Sequence, residues 1–234
     1  MNDESFTLDL AARLDQIRSV SHTFCLAEGG SHGPDHSERV FTTAMLLGRE
    51  LGADLLILGT AALLHDIGRK EESLSKGRVC HARKGAELAR KILSEHQYTP
   101  RQIQQICHCI SSHRYRKGVP PSTLEAQILF DADKLDSIGA VGIGRAFLFA
   151  GQIGARLHNP EQAPEESAPY STEDTAYREF QVKMSRIHHQ MITDLGKKLA
   201  WERHQFMETF FTQLHHEIYG VEQAIKQFGT EKNA

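Results

Sequence analysis

The sequence predicts an all-α fold. Apolar residues recur at helical spacing in every long segment, no segment alternates in the manner of a half-buried strand, and Gly, Pro and capping residues fall between the periodic stretches. The chain has 234 residues, 40% of them hydrophobic and 24% charged, with a formal net charge of −3. That is the composition of an ordinary globular chain. It carries no basic excess that would draw in nucleic acid.

The first element runs from Leu8 to about Ala27, with Leu8, Ala11, Leu14, Ile17, Val20 and Phe24 on one stripe. Gly29-Gly30-Ser31-His32-Gly33-Pro34 ends it, and Asp35 is a cap for the next helix, which puts His36, Arg39 and Val40 one turn apart. Asp54 opens a third helix that ends near Ile67, with Gly68 as its stop. Residues 69 to 80 form a basic loop containing Arg69, Lys70, Lys76 and Arg78. Helices follow at about 81–96 and 101–113, then a second basic loop from Arg114 to Pro121. Ser122-Thr123-Leu124-Glu125 has the spacing of a capping box and leads into the helix that carries Asp133. Glycines 139, 142, 144 and 151 punctuate the next helical stretch. Ala155 to Thr172, with Pro160, Pro164 and Pro169, reads as a mobile surface loop or lid, and two helices follow at about 173–190 and 193–226. The whole is expected to be one domain over residues 1–234, with a core at about 20–155 and a C-terminal helical extension at about 173–228.

Chemistry concentrates at His65-Asp66, which directly follows the apolar run Leu55–Leu64. Burying a charge or an unpaired polar group costs several kcal/mol by rough estimate, so this pair is justified by a bound metal, by Asp66 capping a helix end or by His65 as a satisfied core histidine. His36 lies before it and Asp133 after it, each on its own helix, with His81, His108 and His113 between. Cys25, Cys80, Cys107 and Cys109 contain no Cys-x-x-Cys pair and fit free thiols in a reducing cytoplasm. The N-terminus lacks a signal-peptide pattern, and no apolar run reaches the roughly 20 residues of a membrane span. A soluble cytoplasmic protein is expected, with a homodimer as one arrangement.

His36 with Arg39 and Val40, His65-Asp66-Ile67-Gly68, and the string from Asp131-Ala132-Asp133-Lys134-Leu135-Asp136 to Ile143 together resemble the HD-domain superfamily of metal-dependent phosphohydrolases. The last string is similar to a bacterial subgroup that includes nucleoside triphosphate pyrophosphohydrolases. The resemblance spans about residues 20–220. It implies one divalent metal on His36, His65, Asp66 and Asp133, with Mn, Mg, Fe, Ni, Co and Zn not distinguished. It also implies hydrolysis of a phosphoester or phosphoanhydride, most naturally in a nucleotide, by a metal-activated water.

His81 and His113 stay open between ligands of a second metal, a general acid with a phosphate contact, and structural residues. Arg39, Lys70 and Lys134 are candidate phosphate contacts, Lys134 alternatively pairing with Asp136. Asp136 orients a ligand or binds the sugar. His108 reads as structural, and His188, His189, His204, His215 and His216 as residues of solvated faces. Two other functions compete: a nucleotide-binding sensor without turnover, and an HD-type di-iron oxygenase using His81 and His113. The basic loops favour an anionic small molecule over a neutral polyol.

Overall fold

A computed structural model describes residues 3–25, 34–114, 118–159 and 166–221. Among them there is no strand, and no helix is long and apolar enough to cross a membrane. Helix α1 spans Asp3–Cys25, α2 Pro34–Leu51, α3 Leu55–Leu64, α4 Arg69–Leu74, α5 His81–Ser94 and α6 Pro100–Ser112. Helix α7 spans Leu124–Leu135, α8 Gly139–Gln152, α9 Ala176–Glu179, α10 Ser185–Ile187 and α11 Asp194–Tyr219. A π-helical turn, Phe180–Met184, joins α9 to α10, and a 3₁₀ turn, His188–Gln190, follows α10.

Helix α3 is the axle. It is apolar on all sides, and every residue from Ile57 to Leu64 is buried, as expected of a helix with no solvent face. Helices α1, α2, α6 and α7 all pack on it. Gly59 lets α1 and α2 come close, because a Cβ there would sit 3.0 Å from both Leu14 and Met45. Ser21 ties α1 down by donating to the Leu63 carbonyl at 2.6 Å. The expected Asp54 cap is present, its side chain accepting from the Leu56 and Ile57 amides. Such a cap contributes about 0.5–2 kcal/mol.

Helix α5 packs on α6 through a one-sided face of His81, Ala82, Gly85, Ala89 and Leu93. Helix α6 opens with a capping box between Thr99 and Gln102. Helix α7 touches α2, α3 and α6, and α11 lies across α7 and α8. Asp131 fixes that last crossing. Its buried carboxylate accepts from the Ile192 and Thr193 amides at 2.9 and 2.8 Å and from the Thr193 hydroxyl at 2.7 Å.

Several boundaries differ from the expectation, each for a local reason. Helix α2 begins at Pro34, so Asp35 lies in its first turn. Residues 69–80 contain helix α4 and are not simply a loop. The cap of α7 is Thr123, which accepts from the Ala126 amide, while Glu125 reaches across to the Asp54 amide and Ser122 to His108. The expected helix at 173–190 is a chain of short α, π and 3₁₀ pieces. Within the expected lid, Pro160, Pro164 and the glutamates 161 and 165 lie outside the described residues. The rest of that segment is anchored: Asn159 donates to the Glu173 carbonyl at 3.0 Å and accepts from Thr175 at 2.6 Å. Of the expected solvated tail histidines, His204 is instead 7% exposed and stacked on His188 at 3.8 Å between centroids.

Candidate metal centre

The buried axle helix ends by delivering two polar groups into the interior. His65 is fully buried and Asp66 is 5% exposed. The chain then turns at Gly68, where a Cβ would collide with the His81 carbonyl and the Gly85 amide. Gly68 has φ −90°, so glycine is required here by close approach and not by a left-handed conformation. This contact seats the N-terminus of α5, and therefore His81, beside Asp66.

Four imidazoles surround the Asp66 carboxylate. On one side, His36 Nε2 and His65 Nε2 lie 3.5 and 3.6 Å from Asp66 Oδ2 and 3.3 Å from each other. On the other, His81 Nε2 and His113 Nε2 lie 3.4 and 3.6 Å from Asp66 Oδ1 and 3.2 Å from each other. His65 and His113 meet edge to face, with centroids 5.1 Å apart. Asp133 completes the first side, its Oδ1 3.4 Å from His36 Nε2. The four sequence-predicted ligands are thus together, and His81 and His113 join them.

The far nitrogens fix the tautomers. His65 Nδ1 lies 2.8 Å from the Ala62 carbonyl and His113 Nδ1 2.7 Å from the Ile110 carbonyl. A carbonyl only accepts, so each Nδ1 carries the hydrogen, and each Nε2 turns a lone pair inward. His36 Nδ1 and His81 Nδ1 do the same toward carboxylates, Asp136 Oδ2 and Glu72 Oε2, both at 2.7 Å. Imidazole nitrogens 3.2–3.3 Å apart need a shared cation between them, a proton or a metal ion. This donor set of nitrogen and carboxylate oxygen fits a divalent transition metal on either side of Asp66.

Charges around the centre follow the same division. Burial alone would push Asp66 up, but Arg69 and the imidazoles hold it well below the usual carboxylate range. Asp133 is likewise held well below that range, against burial, by Lys134 and the histidines. Burial works to lower His36, yet the carboxylates of Asp133, Asp136 and Asp66 outweigh it and raise the imidazole to about 10. His65 and His81 follow burial, down to about 4 and about 3.

The candidate substrate contacts separate. Arg39 binds Asp136 through Nε at 2.7 Å and Nη2 at 3.1 Å. Asp136 therefore orients His36, with Arg145 Nη1 at 2.7 Å as its third partner. Lys134 pairs with Asp133 at 3.0 Å and not with Asp136. Lys70 is exposed on α4, and the cation of that segment at the centre is Arg69, whose Nε donates to Asp66 Oδ2 at 2.9 Å. Arg114 pairs with Glu72; residues 115–117 of the second basic loop lie outside the described set. His108 accepts from or shares a hydrogen with the Ser122 hydroxyl at 3.0 Å, a structural tie. Cys107 and Cys109 are buried, and burial pushes the Cys109 thiol up to about 12. Glu72 and Arg145 were not singled out by the sequence, and Arg69 was read only as one cation of the basic loop. The only signal for Glu72 was the spare carboxylates of α4, and Arg145 gave none.

The HD domain family model matches residues 35–138, which contain all six centre residues. YpgQ of Bacillus subtilis, described as uncharacterized, is 33% identical over 216 residues, covering 89% of this chain and 95% of the relative. Its crystal structure in complex with ADP superposes with a TM-score of 0.69 at 31% identity, covering 89% of this chain and 99% of that one. A predicted HD superfamily hydrolase from an uncultured Thermotogales bacterium gives a TM-score of 0.63 at 27% identity, covering 88% and 92% of the two chains. The chain belongs to the HD-domain superfamily of metal-dependent phosphohydrolases.

Proposed function

We propose that this protein hydrolyses a phosphoanhydride or phosphoester bond of a small nucleotide. The observation that carries the reading is the inward convergence of four imidazole Nε2 atoms on the two oxygens of Asp66. His36, His65, Asp66 and Asp133 would hold one divalent cation, and His81 and His113 with Asp66 a second. When bound, such a cation makes a water more acidic and withdraws charge from a phosphoryl oxygen. The Nδ1–H of His81 and of His113 is already committed to Glu72 and to the Ile110 carbonyl. Both imidazoles therefore act as lone-pair donors in this reading and not as general acids. Arg39 and Lys134, paired with carboxylates at the rim, can turn to phosphate oxygens, and Lys70 adds positive charge from outside. The ADP complex of the Bacillus relative supports a nucleotide as the substrate. Release of pyrophosphate from a nucleoside triphosphate is the specific form the bacterial subgroup suggests.

Four imidazoles and a shared carboxylate also suit a di-iron oxygenase, so the test has two arms. Protein stripped with a chelator and reloaded with single metals should release phosphate or pyrophosphate from a nucleotide panel without consuming oxygen. Metal-dependent nucleotide binding with no turnover would mark a sensor instead. Oxygen uptake with a polyol would overturn the phosphohydrolase reading.

A further inference from the structure

The residues that match the family model end at 138, and a cavity of about 500 Å³ begins there. It lies between α8 and the α9–π turn segment, and its walls include Ser137, Arg145, Phe149, Tyr170, Val182 and Lys183. That volume is typical of small-molecule sites, which run to roughly 300–1,000 Å³.

Arg145 joins this cavity to the metal centre. Its Nη1 donates to Asp136 Oδ2 at 2.7 Å and to the Asp136 carbonyl at 3.0 Å. Asp136 in turn holds His36. One guanidinium therefore stands between a metal-ligand partner and the cavity wall. Phe149 and Tyr170 form an aromatic wall, edge to face with centroids 5.7 Å apart. Tyr170 is 78% exposed and sits at φ 62°, a left-handed conformation that a bulky side chain seldom adopts. The backbone is held there because the Tyr170 amide donates to Asp174 at 2.7 Å and Asp174 is clamped by Arg178 at 2.8 Å. The π-helical turn carries Val182 and Lys183 into the cavity lining; single π turns are frequent at functional sites.

We propose that this cavity seats the nucleoside portion of the substrate, the base against Phe149 and Tyr170 and the adjoining phosphate toward Arg145. The assignment rests on the nucleotide reading above and adds that base recognition lies beyond residue 138, C-terminal to the stretch that matches the family model. An aromatic wall next to a guanidinium matches a nucleoside phosphate, flat and apolar at one end and anionic at the other.

Calorimetry on the metal-loaded protein, with ADP and inorganic pyrophosphate as probes, tests it. Val182→Trp fills the cavity and Phe149→Ala removes part of the wall. Both should lower the ratio of ADP affinity to pyrophosphate affinity, by roughly tenfold, while Phe149→Tyr keeps it. Because one change adds volume and the other removes it, a shared loss in two variants with wild-type Tm does not reflect misfolding. An unchanged ratio in both, or a wild-type protein that binds pyrophosphate as well as ADP, overturns the cavity assignment. Hydrolysis of nucleotides by variants with an unchanged ratio would leave the proposed reaction standing and sink the cavity. A fallen ratio in a protein that hydrolyses nothing would do the reverse.

Discussion

The two halves of the centre share Asp66 and differ in what stands behind it. The His36–His65 side has a second carboxylate, Asp133, and a supporting one, Asp136, held by Arg39 and Arg145. On the His81–His113 side, the described ligand group contains Asp66 as its one carboxylate. Glu72 supports His81 from behind and is balanced by Arg114. Similar imidazole geometry is thus embedded in unequal charge. The first side should hold a divalent cation more tightly, and the second should fill later and exchange faster.

Removing the shared group erases the distinction. Asp66→Ala should lose metal from both sides and drop hydrolysis to background. Metal content by elemental analysis checks this, and one equivalent retained per chain would show that the halves do not depend on a common bridge. Single-sided changes come next. His113→Ala should leave about one metal per chain, bound with the higher affinity. Asp133→Asn should narrow the gap between the two binding steps in a metal titration. If Asp133→Asn weakens only the later step, the assignment of halves is inverted.

Protons separate the halves as well. In chelator-treated protein the carboxylates around His36 raise it to about 10, so it is protonated at neutral pH. His81, at about 3, is not. Metal must displace a proton from the first side and none from His81. First-step affinity should therefore rise by up to about tenfold per pH unit below pH 10, and second-step affinity should rise less. Titrations in buffers of different ionisation enthalpy read the proton count directly. The same shift sets a stability trend for metal-free protein. The raised pKa of His36 contributes stability that is fully present below its unfolded value near 6.5 and is lost as pH climbs through 10. The depressed Asp66 and Asp133 contribute above their ordinary range and lose their contribution as the solution turns acid.

The orienting carboxylates should matter less than the ligands. Asp136→Asn and Glu72→Gln each leave a side chain of the same shape that no longer carries charge. Loss of such a partner costs about 10–100-fold in metal affinity or activity. Asp136→Asn should act on the tighter step and Glu72→Gln on the weaker one. Equal effects on both steps would mean that the halves are coupled too strongly to be told apart.

The convergence of His36, the His65-Asp66 pair and Asp133 was legible because these short patterns fall on three separate elements, α2, the end of α3 and α7. The all-helical fold was legible because α2, α5 and α6 keep a one-sided apolar spacing around α3, which is apolar on all sides. His81 and His113 were legible in order but not in role, since only the packing at Gly68 and Gly85 brings them to the far oxygen of Asp66. Glu72 and Arg145 come to the site across tertiary contacts that no local pattern encodes. The burial of His204 was missed for a related reason: it depends on the 3₁₀ turn at His188, which interrupts the expected helix.

The smallest expected effect concerns Lys70, and it tests whether position along the chain or position in space decides a cation's role. Lys70 and Arg69 are neighbours at the start of α4. Arg69 turns inward, 24% exposed at its side chain, and its Nε binds the Asp66 carboxylate at 2.9 Å. Lys70 faces solvent. Exposed charges are screened and contribute about 0–1 kcal/mol, so Lys70→Ala should lower kcat/KM by less than about fivefold. Arg69→Ala leaves a buried carboxylate without its charge-assisted partner, a loss of about 1.5–3 kcal/mol, and should lower kcat/KM by about tenfold to a hundredfold. Added salt should shrink the Lys70 effect and leave the Arg69 effect nearly intact, because screening acts on the exposed charge. A Lys70→Ala loss as large as that of Arg69→Ala, and equally resistant to salt, would mean that the substrate draws Lys70 onto its phosphates and that α4 closes over the centre during turnover.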